Sequence, residues 1–585
     1  MKLDRTFPLQ VQAPTPRQTV LKRFTVNPGE TLEVKEADAF NPTTGFLKQT
    51  VNATLAVSDK APIDVKSAVQ GLLTYPYGCA EQTTSTAYPH VFIDEAAAKQ
   101  FGLKAYTQAQ RAEMLDKAIG RLAGMQAPNG GFSLWGNVNE YQYWLSAYVT
   151  NFLLDAREQG FTVPAEMEKK AVDFLLKGLQ EGVAGLPRGP LNYNENSVWN
   201  DWRYAGSGRF GVLAYGAYVL ARQGKAPLAT LRTLSDVSEQ AHSGLGLVHL
   251  GLALKLMGDE ARSKTAIDAG LKKPRLNNYW WGDYGTNLRD WAQMYVLLQK
   301  HELTPEGREN LVGMVAGEIE KNRYISTQEK LSLFLLGRSF ANQQTGDWTA
   351  EVTGLAGATN SATTDSTPSS RRTPGSSTST NITTKGTHFL SLAASDLTTG
   401  IKLKNTNKER LFVELNYTGN PAKAPEARRD AFNLKREWYT ADGNPLGNRP
   451  LKVGETLIVR LNVKTKGRYA NGLVVDYVPA GVEIENANIV QGEQNGMEIA
   501  KVDMRQAMQD TRIKHVEFRD DRFVVAARLE GEMNFFYRVR VVTPGKFVVP
   551  PTYAEDMYQP MVYGLAGGGE SVAVGDGKGG PDAHK

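Results

Sequence analysis

The residues of this sequence best suited to chemistry are a cysteine and a glutamine that stand three positions apart. Cys79, the only cysteine, and Gln82 belong to the segment YPYGCAEQ at 75–82. At this spacing two side chains lie on the same side of a helical turn, so they can meet. Gly78 permits a sharp entry of the backbone, and Ala80 leaves room beside the pair. A single cysteine excludes an intramolecular disulfide and a multi-cysteine metal site.

Two other interpretations of Cys79 need no glutamine. The first is a buried and inert thiol, which is the common fate of a lone cysteine. The second is a Cys–His hydrolase that pairs Cys79 with His90. Eleven residues on one helix separate two side chains by about three turns, however, so we do not expect these two to meet.

Composition limits the classes of function. The chain has 585 residues, 41% of them hydrophobic and 22% charged, which predicts a multidomain globular protein. A net charge of +5 over this length gives no reason to expect a nucleic-acid partner. No window approaches the roughly 20 apolar residues of a membrane span. The first residues, MKLDRTFPLQVQAPTPRQ, show no signal peptide, so we expect either a cytoplasmic protein or a piece whose targeting segment lies elsewhere.

The middle of the chain has helical periodicity. Apolar side chains in 144–156 recur at the spacing of one helix face, and Ser326 with Glu329 forms a capping box before another helix. SLWG and YWWG are each followed by a tryptophan and an apolar helix, which indicates repeated helical hairpins. We expect the tryptophans to pack in the core. About a dozen helices favour a closed α/α toroid, with an open solenoid as the alternative.

Alternating strands flank this helical part on both sides. They predict a helical toroid inserted in one β-sandwich and followed by a second β-sandwich. FFYRVRVVTPGKFVVPP is typical of two strands around a Pro-Gly turn, and the Gly-rich end is expected to be frayed. The predicted parts are the first sandwich 1–60, the toroid 61–345, the return of the first sandwich 346–432 with a disordered Ser/Thr-rich segment 355–387, the second sandwich 433–566, and a flexible tail 567–585.

The string PYGCAEQ resembles the G-C-[GA]-E-Q thioester signature of the α2-macroglobulin and complement family, with Gly78, Ala80 and Glu81 completing the motif. The resemblance implies that the side-chain carbonyl of Gln82 acylates the Cys79 sulfur with loss of ammonia. An attacking amine would then be joined to the protein as an amide, and the thiol would be freed. This is a single-use reaction rather than enzyme turnover, and it needs no cofactor and no metal. The family's domain order is a toroidal thioester domain inserted in a CUB domain and followed by a macroglobulin-type sandwich.

The residue at position 80 and the histidines bear on which nucleophile is used. Ala80 in place of Gly resembles the bacterial branch of the family. In some complement relatives a downstream histidine activates the bond toward hydroxyls, but the loop 192–202 offers asparagines instead. His242 and His249 are expected in one helix with apolar periodicity, in structural roles. We therefore expect lysine amines to be preferred over hydroxyls.

A thioester needs protection from water, and four side chains are candidates for that role. Tyr75 and Tyr77 precede the motif, and either could instead be an ordinary core residue. Met557 and Tyr558 end the aromatic loop 553–558, which suits a lid over an apolar bond. The alternative for this loop is an ordinary connection between strands.

The resemblance implies a covalent trap that captures an attacking protease through its lysine amines. The bait region and the preceding macroglobulin-like domains are expected outside this chain, which alone should not inhibit by entrapment. A thioester adhesin is the second hypothesis. A toroidal terpene cyclase or prenyltransferase is the third, although the helical part shows neither DxDD nor DDxxD. The resemblance also implies a periplasmic monomer, tethered to the inner membrane only through an N-terminal lipid absent here.

Overall fold

The structure is a computed structural model that describes most of the chain. The described residues are 18–35, 45–47, 50–59, 65–73, 78–137, 139–186, 209–276, 282–321, 325–341, 346–355, 379–392, 394–423, 425–485 and 497–575. Within these ranges, no helix is both long enough and apolar enough to cross a membrane. The Tyr75, Tyr77 and 192–202 predictions fall outside them.

Thirteen of the described helices follow one another between the two stretches of strands. They are α1 (Val65–Leu73), α2 (Ala80–Phe92), α3 (Glu95–Gln100), α4 (Gln108–Ala123), α5 (Tyr143–Glu158), α6 (Ala165–Ala184), α7 (Arg209–Ala221), α8 (Leu228–Ser235), α9 (Gly244–Leu256), α10 (Glu260–Lys272), α11 (Asn287–Lys300), α12 (Pro305–Lys321) and α13 (Thr327–Ala341).

These helices form a closed toroid rather than an open solenoid. Helices α2, α5, α7, α9, α11 and α13 each pack against the next, and α13 packs back against α2 to close the ring. The inner helices α5, α7 and α9 are buried around most of their circumference, which explains their nearly continuous apolar sequence. The predicted capping box is confirmed: Ser326 N donates to Glu329 Oε2 at 2.7 Å, and Glu329 N donates to Ser326 Oγ at 3.3 Å. It fixes the start of α13 beside α2.

The first β-sandwich takes strands from both sides of the toroid, as predicted. One sheet has the order β1-β10-β3-β8 and the other β2-β9-β6-β7. Because β3 precedes the toroid and pairs with β10 beyond it, the toroid is an insertion. The strands are β1 (Gln18–Val26), β2 (Thr31–Val34), β3 (Asn52–Ser58), β6 (Trp348–Thr353), β7 (Thr380–Thr384), β8 (His388–Leu392), β9 (Ile401–Asn405) and β10 (Leu411–Gly419), with β4 (Phe132–Ser133) and β5 (Tyr141–Gln142) paired inside the toroid and a short helix α14 (Ala394–Thr399) before β9.

The second β-sandwich is built around two long antiparallel strands, β13 and β18. Its larger sheet has the order β14-β18-β13-β20-β21, with β11 and β17 added, and β12-β22-β19 is the smaller sheet. Its elements are β11 (Phe432–Thr440), β12 (Leu451–Lys452), β13 (Thr456–Tyr477), β14 (Val482–Glu485), β15 (Glu498–Ile499), β16 (Val502–Asp503), α15 (Met504–Met508), β17 (Ile513–Phe518), β18 (Arg522–Val541), β19 (Gly545–Val548), β20 (Thr552–Asp556), β21 (Gln559–Leu565) and β22 (Ser571–Gly575).

Three details of the β regions differ from the expectations. The segment predicted as a flexible tail, 567–585, contains β22, which pairs with β12 and β19 and buries Val574. The segment predicted as disordered, 355–387, contains β7, which pairs with β6. Strands do flank the predicted Pro-Gly turn, but β19 pairs with β22 and not with β18. In each case partners distant in sequence decide the structure, and local composition did not reveal them.

Candidate functional site

Cys79 and Gln82 share the first turn of α2. Cys79 is the N-cap residue, with an extended backbone (φ −64°, ψ 168°), and Gln82 is the third residue of the helix. The Gln82 side chain folds back over the turn, and its Oε1 accepts a hydrogen bond from the Cys79 backbone N–H at 3.4 Å. This is the Gln half of a capping box. Both side chains are fully buried, so the fold holds a thiol and an amide side by side and away from water.

The motif residues on either side of Cys79 are small. Gly78 does not have a positive φ, so a left-handed backbone is not the reason for a glycine at this position. A β-carbon at this position would meet the guanidinium group of Arg121, but that group is the end of a flexible, exposed side chain that can move away. Ala80 is fully buried, and its N–H donates to Leu134 O at 2.8 Å, which anchors the start of α2.

A hairpin of the second sandwich covers the pair. Its strands β20 and β21 end in a tip that carries Met557 and Tyr558, which are only 5% and 6% exposed and belong to the core of the toroid. Gln82 Nε2 donates to Met557 Sδ at 3.4 Å, and Tyr558 Oη lies 3.8 Å from Cys79 Sγ. The structure therefore brings Cys79, Gln82, Met557 and Tyr558 together, and the last two contact the reactive atoms of the first two.

Tyr284 supports the tip from inside the toroid. Its ring meets that of Tyr558 edge to face, with centroids 4.4 Å apart, and it also contacts Trp144 at 4.8 Å. Its hydroxyl donates to Gln142 Oε1 at 2.8 Å. Tyr284 adopts a positive φ of 52°, which is unusual for a bulky residue.

Buried ion pairs fix the backbone on either side of Tyr284. The carboxylate of Asp283 binds Arg275 through two oxygens and also contacts Arg289 at 3.0 Å. Asp283 Oδ1 additionally accepts from Gly285 N at 3.2 Å. These contacts hold the segment that carries the ring, so Tyr284 is a rigid support for the tip.

Glu81 is a buried carboxylate that accepts hydrogen bonds from four side chains. It accepts from Tyr558 Oη at 3.0 Å, Ser85 Oγ at 2.6 Å, Gln328 Nε2 at 2.6 Å and Thr327 Oγ1 at 3.0 Å. The carboxylate therefore ties together the first turn of α2, the start of α13 and the tip of the hairpin.

Two surface contacts extend the docking between the toroid and the second sandwich. The ring of His515 stacks on Trp135 with centroids 4.7 Å apart and an interplanar angle of 10°. Lys514 Nζ lies 2.6 Å from Glu140 Oε1. These pairs align the domain that carries the hairpin, but exposed ion pairs of this kind contribute little to stability.

Burial dominates the electrostatics of the site. Loss of solvation, together with the nearby charge of Glu81, raises the pKa of the Cys79 thiol to about 12. Burial also raises the pKa of Glu81 against the opposing effect of its hydrogen bonds. The pKa of Asp556, at the end of β20, is raised to about 6 by burial. The closed site thus disfavours a thiolate and keeps the cysteine a weak nucleophile.

The described histidines have other partners. His249 lies in α9 and stacks on Tyr215 with centroids 4.7 Å apart, as expected of a structural residue. His242 was expected in the same helix, but it precedes α9 and contacts Asp283 Oδ2 at 3.1 Å. His90 lies in the last turn of α2 and packs against Tyr106.

A cavity of about 410 Å³ occupies the centre of the toroid, toward the carboxyl end of α2. Its aromatic lining would suit a prenyl chain, but its acidic residues Asp155 and Glu158 both pair with Arg222, at 2.8 and 2.6 Å. Across the described ranges, no group of three or more His, Cys, Asp or Glu side chains is placed to hold a metal ion. These contacts do not favour the terpene cyclase hypothesis.

Sequence reasoning did not identify Tyr284, the partners of Glu81 or Asp556. Tyr284 lies about two hundred residues from Cys79, and only the closed ring brings them together. Two of the partners of Glu81, Thr327 and Gln328, lie between the residues of the predicted capping box, Ser326 and Glu329. The predicted helix start was therefore the sequence feature that could have pointed to them.

Comparisons with known proteins agree with this architecture. A family model described as "A-macroglobulin TED domain" matches residues 49–194, and one described as "Bacterial Alpha-2-macroglobulin MG10 domain" matches residues 432–560. An alpha-2-macroglobulin of Xylella fastidiosa is 36% identical over 96% of this chain and 33% of its own length. That of Escherichia coli K12 is 34% identical over 93% of this chain and 31% of its own length.

Solved structures show the same similarity. The crystal structure of native Escherichia coli alpha-2-macroglobulin from domain MG7 to the C-terminus superposes with a TM-score of 0.83 at 32% identity, covering 96% of this chain and 83% of that one. Salmonella alpha-2-macroglobulin reacted with methylamine gives a TM-score of 0.81 at 32% identity, over 96% of this chain and 34% of that one.

The fold and the site are those of a thioester-domain protein: a helical toroid is inserted in one β-sandwich and covered by a second. With a relative at 32% identity that is matched over 83% of its length, the chain belongs to the alpha-2-macroglobulin family. It spans about a third of the length of the curated relatives it matches.

Proposed function

We propose that Cys79 and Gln82 form an internal thioester and that it joins this protein covalently to an attacking amine. One observation carries the proposal: the thiol and the amide lie buried on one helical turn, beneath two side chains of another domain. The motif supports the same chemistry. That a Salmonella relative was crystallised after reaction with methylamine supports an amine as the nucleophile.

In the proposed reaction the amine nitrogen attacks the Gln82 carbonyl carbon. The carbon–sulfur bond breaks, the sulfur leaves with the electron pair, and a proton lost by the amine ends on the Cys79 sulfur. The products are an amide at position 82 and a free thiol, and nothing regenerates the bond. The protein is therefore a reagent and not an enzyme.

The lid gives this reagent a trigger. Because Met557 and Tyr558 belong to the second sandwich, exposure of the bond requires that domain to shift relative to the toroid. We propose that cleavage of a bait segment by a protease causes this shift and that a lysine amine of the protease is then captured. The bait and the preceding domains are proposed to correspond to the two thirds of the relatives that this chain does not span.

The direct test is capture by the full-length protein. Incubated with trypsin, it should yield a product that survives boiling in detergent and contains both proteins joined through Gln82. The full-length Cys79→Ala variant is the matched control and should give no such product. Equal amounts of covalent product with and without proteolysis would instead support the adhesin hypothesis. Absence of any covalent product from the wild type would contradict the trap.

We propose a periplasmic monomer, held at the inner membrane through an N-terminal lipid of the full-length protein. This proposal rests on the family resemblance alone. Fractionation of cells and sedimentation of the released protein would test it, and a cytoplasmic pool or a stable dimer would contradict it.

Tyr284 yields a prediction about the stability of the lid. Tyr284→Phe keeps the ring against Tyr558 and removes the hydrogen bond from its hydroxyl to Gln142. A buried hydrogen bond of this kind is worth about 1 kcal/mol, so the thiol should appear about fivefold faster in buffer without protease. A thiol-reactive dye measures that rate. Tyr295→Phe, at a buried tyrosine elsewhere in the toroid, is the control, and equal rates in both variants would contradict the role of Tyr284.

Asp556 yields a prediction about pH. Its pKa is about 6 in the closed site against a reference value of 3.8, so its favourable contribution to closure is complete below the reference value and is lost as pH rises through 6. At pH 8 the buried charge opposes closure, and the shift of about two pKa units sets a ceiling of about 3 kcal/mol.

Asp556→Asn removes that charge and leaves an oxygen to accept from Tyr558 N. Thiol release at pH 8 should slow several-fold relative to wild type. The ratio of the variant rate to the wild-type rate should approach one below the reference pKa. Taking this ratio also cancels the pH dependence of hydrolysis itself, which both proteins share. A ratio that stays constant across this range would contradict the assignment.

A further inference from the structure

The Glu81 carboxylate has four donors and no cation. Tyr558, Ser85, Gln328 and Thr327 supply its hydrogen bonds, and among the residues that the structure describes no Lys, Arg or His pairs with it. Charged carboxylates are rarely buried unless they are paired. The four neutral donors hold the Glu81 carboxylate in place, and they leave it better able to accept a proton than a salt bridge would.

The Tyr558 hydroxyl lies between this carboxylate and the cysteine. Tyr558 Oη is 3.0 Å from Glu81 Oε2 and 3.8 Å from Cys79 Sγ. A phenol both donates and accepts. It can give its own proton to Glu81 while it takes the proton of the thiol, so the three residues form a path for one proton.

Cys79 carries a thiol proton only before the thioester forms, so the path can act only at that stage. After the proposed activation the hairpin has moved and Tyr558 no longer contacts Cys79, so the path cannot serve the attack by an external amine. The closed arrangement, with Cys79 beside an unreacted Gln82, is the arrangement in which the bond must first be made. The buried thiol, whose pKa is about 12, cannot supply a thiolate unaided at neutral pH.

We propose that Glu81, acting through the Tyr558 hydroxyl, accepts the Cys79 proton during formation of the thioester, so that the docked second sandwich completes the site that makes the bond. This inference rests on the proposed thioester. The sulfur lone pair attacks the Gln82 carbonyl carbon while the thiol proton passes to Tyr558 and the Tyr558 proton passes to Glu81.

The tetrahedral adduct then collapses. The carbon–nitrogen bond breaks, the nitrogen leaves with the electron pair, and it takes the proton returned along the same path, so ammonia is the only product released. Met557 Sδ, which accepts from Gln82 Nε2 at 3.4 Å, fixes the side on which the leaving nitrogen lies. No cofactor and no second protein takes part in this balance.

Tyr558 has two proposed roles, protection of the thioester from water and transfer of a proton during its formation, and loss of either role would leave no thioester. A thioester that forms and is then lost to water leaves a carboxylic acid at position 82. A thioester that never forms leaves the original Gln82 amide. Tandem mass spectrometry of the peptide that contains Cys79 and Gln82 distinguishes these two products, so a leaky lid and a missing proton acceptor give different results.

The test compares Glu81→Gln and Tyr558→Phe with wild type in the full chain. Both variants keep the bulk of the site and break the proton path. General-base catalysis contributes about 10²- to 10⁴-fold, so we expect mostly the unreacted amide in freshly purified variants. Tyr295→Phe makes the same kind of change as Tyr558→Phe at a buried tyrosine elsewhere in the toroid, and it should form the thioester as wild type does. Thermal unfolding of each variant checks that the fold is retained.

The outcomes are distinct. An amide at position 82 in folded Glu81→Gln and Tyr558→Phe, with a thioester or an acid in wild type and Tyr295→Phe, supports the inference. A thioester or an acid in all four proteins overturns the inference and leaves the proposed function intact. An unreacted amide in wild type overturns the proposed function, and the inference with it.

Discussion

Met557→Ala should release the Cys79 thiol into protease-free buffer on the order of a hundredfold faster than wild type. Met557 is 5% exposed, packs in the core of the toroid and touches the Gln82 amide nitrogen. Truncation of a buried methionine costs about 2–5 kcal/mol, and here the cavity opens directly over the proposed bond. The rate at which a thiol-reactive dye labels the protein measures the effect.

The same hairpin supplies the control. Met561 lies on β21 and is 51% exposed, so Met561→Ala shortens a methionine of the same strand pair without opening the site. It should release the thiol at the wild-type rate. Met557→Leu, which conserves most of the volume, should fall between the two. If Met557→Ala and Met561→Ala behave alike, the hairpin does not protect the site.

Cys79→Ala should abolish the incorporation of labelled methylamine altogether. Without the sulfur no acyl group can be held in activated form, and the Gln82 amide alone does not react with amines under mild conditions. The fold should persist, because the change removes one buried atom and costs only the contacts of the sulfur, chiefly that with the Gln82 backbone N–H at the start of α2. Incorporation of methylamine at the wild-type level would show that the activated group does not involve Cys79.

The variant also tests the alternative of an inert buried cysteine. If the thiol is only a core residue, wild type and Cys79→Ala will both fail to incorporate methylamine, and wild type will show one thiol on unfolding. Because Cys79 is the only cysteine, every thiol measured belongs to it. The two interpretations therefore predict opposite results from one titration.

The sequence was sufficient where local spacing carries the information. Residues three apart at a helix start place Cys79 beside Gln82, and an aromatic, Met-bearing loop correctly indicated which side chains of the second sandwich reach the pair. The insertion of the toroid also followed from the order of strands and helices, because β3 and β10 could pair only if the helices looped out between them.

What could not be predicted depends on contacts between distant segments. Tyr284 reaches the site only because the ring of helices closes, and its own neighbours give no sign of that role. Strand β22 is a short alternation between glycine-rich stretches, and it orders because β12 and β19 offer free edges. In the sequence Glu81 is only a residue of the motif. In the structure its carboxylate joins α2, the start of α13 and the tip of the β20–β21 hairpin by hydrogen bonds.

The intact mass of the freshly purified protein tests the proposed bond between Cys79 and Gln82 without any variant. If the thioester is present, we expect a mass lower than that of the sequence by one ammonia molecule, with no titratable thiol before treatment with methylamine and one thiol afterwards. A mass equal to that of the sequence, together with one thiol that becomes titratable on unfolding, would contradict it.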